Sequence, residues 1–89
     1  MTKQKILQEL IKIHKKYSFE RYSDESSQMC TMWSTDDPPD ILEDTEPLEA
    51  ICNMINKNID EDYAVEIYDM TLKEAAMSLY VFLKENKKA

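Results

Sequence analysis

Tyr63-Ala64-Val65-Glu66-Ile67-Tyr68-Asp69-Met70 is the stretch on which the fold turns. Tyr63, Val65 and Ile67 alternate with Ala64 and Glu66, and β-branched and aromatic side chains dominate. That period of two predicts a strand. Read so, it needs partner strands and the domain is α+β. Read as a helix, it leaves an all-α bundle as the alternative.

Working outward, the stretch is followed by Thr71-Leu72-Lys73-Glu74, the signature of a capping box. Ala75 to Leu83 then runs apolar at every position but Ser78, which predicts a helix. Upstream, Asp60-Glu61-Asp62 separates the strand from a helix expected over 46–58. Asp44 or Thr45 can cap that helix, and Pro47 falls in its first turn, where a missing N–H is harmless. Its apolar stripe is Leu48, Ile51, Cys52, Ile55 and Ile59. Asp36-Asp37-Pro38-Pro39-Asp40 is a break, because adjacent prolines continue neither helix nor sheet.

Two further strands are expected before the break, over 17–23 and 28–35, joined by Asp24-Glu25-Ser26-Ser27 as a hairpin loop. The first segment, 2–16, carries Ile6, Leu10, Ile13 and Tyr17 at helical spacing, with Leu7 and Ile11 widening the stripe. The resulting order is α-β-β-α-β-α. It describes one α+β domain over 1–89 with a small, mostly antiparallel sheet.

The chain has 89 residues and no glycine. Glycine-dependent phosphate loops, dinucleotide-binding turns, nucleophile elbows and calcium loops are thereby excluded. The net charge is −7, unevenly spread. Residues 1–22 carry Lys3, Lys5, Lys12, Lys15, Lys16 and Arg21 against Glu9 and Glu20, whereas residues 23–70 carry fourteen acids against Lys57. Two basic ends thus flank an acidic middle. This balance predicts a basic protein partner, no direct nucleic-acid binding and no membrane binding. Cys30 and Cys52 show no metal-ligand spacing, and no apolar run is long enough to cross a bilayer. Free, buried thiols in the cytoplasm are the expectation.

The densest acidic stretch, Asp36, Asp37, Asp40, Glu43, Asp44, Glu46 and Glu49, contains no basic residue. Such a surface can meet an Arg- and Lys-rich partner, or it can simply keep a small domain soluble. Trp33, with Met32 beside it, is either an interface anchor for the same partner or a core residue. The carboxylates have no complementary nucleophile or base nearby, so no enzyme activity, cofactor or metal is expected. His14, the single histidine, is placed at the edge of the first apolar stripe or in solvent.

The reading that joins these observations is a small acidic interaction module, an inhibitor or immunity-type protein docking on a nucleic-acid-binding surface. The alternative is a structural domain that forms a homodimer through its last helix. There Leu72, Ala76, Leu79 and Leu83 line one side while Met77, Tyr80 and Val81 leave a second face apolar.

Overall fold

Ile6, Leu10 and His14 recur every fourth residue, and all three are fully buried on one face of α1 (Lys3–Ser18). The computed structural model describes residues 2–18, 23–33 and 39–86. After α1 come a short 3₁₀ turn, Met29–Met32, then α2 (Glu46–Ile55), α3 (Glu61–Tyr68) and α4 (Leu72–Asn86). Helix α1 packs against both α4 and α2, and α3 packs on α4 and on the 3₁₀ turn.

The α+β expectation is overturned. Among the described residues there is no strand, only an isolated antiparallel bridge between Gln28 and Thr71. The architecture is the all-α alternative. Residues 63–68, expected as strand, belong to α3, and the reason lies just upstream. Asp60 caps the helix, its carboxylate accepting from the Tyr63 N–H at 2.9 Å. Glu61 and Asp62 then occupy the first turn, where the helix dipole favours acids. Ala64 and Ile67 are fully buried, whereas Val65 is 50% exposed, so burial follows helical spacing and the alternation is incidental.

The expected hairpin is also absent among the described residues. Tyr17 and Ser18 finish α1, and residues 19–22 and 34–35 lie outside the described residues. Met29 and Met32 are buried three apart, the spacing of a tight helical turn. The loop between the two supposed strands is a true turn. Asp24 accepts from the Ser27 N–H through its carbonyl at 3.1 Å and from the Ser26 N–H through its carboxylate at 2.8 Å.

This turn is spent on the start of α4. The Leu72 and Lys73 N–H groups donate to the carbonyls of Ser27 at 2.8 Å and Glu25 at 3.0 Å. The Glu74 N–H donates to Thr71 Oγ1 at 3.2 Å, and the Thr71 N–H donates back to Glu74 Oε1 at 3.1 Å. The capping box read from sequence therefore forms. The donors left over by the first helical turn find acceptors in a distant part of the chain.

His14 holds the other side of the same segment. Its Nε2 lies 3.1 Å from the Gln28 carbonyl and also meets Thr31 Oγ1, while Nδ1 lies 2.7 Å from Ser23 Oγ. A carbonyl can only accept, so Nε2 carries a hydrogen, and in the neutral ring Nδ1 accepts from the Ser23 hydroxyl. The sequence reading put His14 at the stripe edge or in solvent; it stands at the centre of the stripe.

Helix α2 ends at Asn56, whose φ of 56° is the left-handed conformation usually left to glycine. Helices α3 and α4 are joined by Tyr63, which stacks on Phe82 with ring centroids 4.8 Å apart. Its hydroxyl lies 2.6 Å from Ser78 Oγ. Burial raises the pKa of that phenol, against an opposing effect of the Ser78 hydrogen bond.

Two substitutions test this architecture. His14→Ala removes a fully buried ring and takes the acceptor from the Ser23 hydroxyl, while Thr31 Oγ1 keeps its bond to the Gln28 carbonyl, so urea unfolding should show a loss of about 3 kcal/mol. Val65→Ala should be neutral or raise stability by up to about 0.5 kcal/mol, because alanine is the better helix former. A strand would instead be weakened.

Candidate functional site

The acidic residues expected to form a docking surface divide by position. Asp40, Glu43, Asp44, Glu46 and Glu49 are all exposed, at the turn before α2 and along its first turn. Asp36 and Asp37 lie outside the described residues.

The turn that presents them is held from two sides. Leu42 is buried, and its N–H donates to both carboxylate oxygens of Glu61, at 2.9 and 3.0 Å. The Glu43 N–H donates to Glu61 Oε1 at 3.0 Å. One half-buried carboxylate at the start of α3 thus gathers two loop amides. On the other side the Trp33 indole N–H donates to Thr45 Oγ1 at 2.9 Å, and the Thr45 hydroxyl donates to the Leu42 carbonyl at 2.7 Å. Thr45 therefore stands at the N-cap of α2 without capping it through its side chain, because its hydroxyl is engaged with the turn.

Trp33 is 6% exposed and packs beside Tyr68, with ring centroids 5.4 Å apart. Of the two roles open to it in the sequence, the structure places it in the core. It bears on the acidic turn through Thr45 rather than by offering its ring to solvent. Met32, its neighbour, is buried too.

Between the turn, α2 and α4 lies a groove of about 680 Å³. Glu43, Asp44 and Glu49 stand along it together with Asp60, and Ile59 and Phe82 supply apolar surface. Sequence reasoning missed Asp60 as a member of this edge, and missed Glu61 as its support. The signal was present in Asp60-Glu61-Asp62, which had been read only as a separator. Among the described residues ion pairs are confined to α1, where Glu9 meets Lys5 at 3.1 Å and Lys12 at 3.6 Å. Those two ammonium groups hold the Glu9 carboxyl below its usual range, the hydrogen bond from Lys5 contributing most. Among the described residues no such cation serves the acids of the turn.

Cys30 and Cys52 are free, as expected, but half-buried rather than buried. Both ring nitrogens of His14 are engaged in the core. Among the described residues no group of three or more His, Cys, Asp or Glu is placed to hold a metal ion. No helix among them is long and apolar enough to cross a membrane. Of the residues expected to mediate self-association, Met77 and Val81 are 46% and 44% exposed on α4, and Tyr80 is half-buried with Lys84 Nζ 5.0 Å from its ring centroid.

Compared with known proteins, the chain matches no family model, no curated protein and no solved structure.

If Glu61 organises the acidic turn, Glu61→Ala should cost about 2 kcal/mol, because two loop amides lose a charged acceptor. Amide hydrogen exchange at Leu42 and Glu43 should quicken in that variant while exchange in the middle of α1 keeps its rank.

Proposed function

We propose that the chain is a small protein-interaction module that docks through its acidic edge on a basic protein surface. A surface built to bind a nucleic-acid backbone is the natural target, since a row of carboxylates competes for the same Arg and Lys side chains. The module would then act as an inhibitor or immunity-type partner.

The observation that carries this reading is the exposure of Asp40, Glu43, Asp44, Glu46 and Glu49 with no ion pair to any of them among the described residues. What sets these carboxylates apart from the other solvated acids is that Glu43, Asp44 and Glu49 share one groove with Asp60. The groove adds a physical reason for preferring long basic side chains. An Arg or Lys stem can lie along Phe82 while its charged head reaches Glu43, Asp44, Glu49 or Asp60. Trp33 contributes by fixing Thr45 and the start of α2, not as a contact residue.

The test is a side-by-side capture from the source organism's lysate. One column carries the wild-type chain and the other carries Asp40→Lys, Glu43→Lys, Glu46→Lys and Glu49→Lys together. A basic protein held in roughly equal amount by the wild type should be retained at least about tenfold less by the reversed variant, a difference of about 1.4 kcal/mol. Raising salt from about 50 to about 300 mM should release it, and added duplex DNA should compete with it. Equal retention by both columns, with the variant's circular dichroism unchanged, would rule the reading out.

A further inference from the structure

The solvent face of α4 has a composition unlike the rest of the surface. Its exposed side chains are Lys73, Glu74, Met77, Val81, Lys84 and Glu85. At about 100° per residue, Met77 and Val81 lie along the middle of this face. Lys73 and Lys84 run along one flank, and Glu74 and Glu85 along the other. Glu74 also closes the capping box, and Lys84 sits over Tyr80. Beside Met77 a hollow of about 590 Å³, bounded by Leu7 and Ala76, extends the apolar strip towards α1.

Two lysines and two glutamates make the face neutral, on a chain whose net charge is −7. A uniformly basic or acidic partner would meet repulsion on one flank whichever way it lay. A surface carrying the same two flanks would not. We propose that this face binds a second copy of the chain, with two α4 helices side by side and parallel about a two-fold axis along them.

The charge order selects the orientation. In the parallel pair each flank meets the opposite flank at the same height. Lys73 then faces Glu74 of the second copy and Lys84 faces Glu85 of the second copy, each twice by symmetry. In the antiparallel pair each flank meets itself, setting Lys73 against Lys84 and Glu74 against Glu85. Met77 and Val81 meet their own counterparts only in the parallel pair. The apolar strip is narrow, so the association is weak and concentration-dependent, below the range of standard stable interfaces. It involves none of the acidic-edge residues and stands whether or not that edge docks a partner.

Sedimentation tests it on the full chain. The wild type should pass from monomer to dimer between about 10 μM and about 1 mM, the range of a weak complex. Val81→Glu should stay monomeric with unchanged circular dichroism. Lys84→Glu should weaken the dimer several-fold, and Lys84→Glu combined with Glu85→Lys should restore it, which a purely local effect on α4 would not do. On a Cys30→Ser, Cys52→Ser background, Val81→Cys should oxidise to a covalent dimer. A wild type that remains monomeric at about 1 mM overturns the proposal. So does a dimer that survives Val81→Glu, or one in which Val81→Cys cross-links only to Met77→Cys in a mixture of the two variants.

Discussion

The segment from Ser23 to Trp33 carries no regular element longer than one turn, yet the helices are organised around it. On one side His14 reaches it from α1 through Ser23, Gln28 and Thr31. On the other, the start of α4 donates to Glu25 and Ser27. Met29, Met32 and Trp33 then point into the core. A polar ring at 0% exposure is tolerable only with its nitrogens satisfied, and here the partners come from a stretch nine to seventeen residues away. Position and satisfaction are therefore coupled. The segment cannot drift without leaving a buried donor unpaired, and α1 cannot drift without pulling the segment off α4.

That coupling explains what the sequence made legible and what it hid. Helices α1, α2 and α4 are set by signals within one or two turns of themselves: the four-residue recurrence of Ile6 and Leu10, Pro47 in a first turn, and the Thr71–Glu74 capping box. Helix α3 and the Met29–Met32 turn are short, and a few apolar residues fit a period of two almost as well as one of 3.6. The Tyr63, Val65, Ile67 alternation is real in the sequence but does not describe burial, because Ile67 is in the core while Val65 is half in water. Asp60 was the better guide, since a capping side chain acts locally. His14 was hidden for the opposite reason. Its partners are remote in sequence, and a lone histidine on an apolar stripe gives no sign of them.

The acidic edge was visible as composition and invisible as structure. Charge counting located Asp40, Glu43, Asp44, Glu46 and Glu49; each is exposed, and Glu43, Asp44 and Glu49 line one groove. What counting could not give was the support: Glu61 drawing in the amides of Leu42 and Glu43, and Trp33 holding Thr45 from the core side. These contacts make the turn a defined surface rather than a loose acidic loop. They also convert Trp33 from a candidate contact residue into part of the frame that aims its neighbours.

Asn56 carries a consequence of another kind. It is the non-glycine residue that takes the left-handed conformation among the described residues, in a chain with no glycine anywhere. Every residue therefore bears a Cβ, and the disordered chain samples a narrower range of backbone angles than one of average composition. Less conformational entropy is surrendered on folding, which offsets part of the disadvantage of a core this small. The local strain at Asn56 is the counterpart of that narrowing, concentrated at one turn instead of spread through the chain.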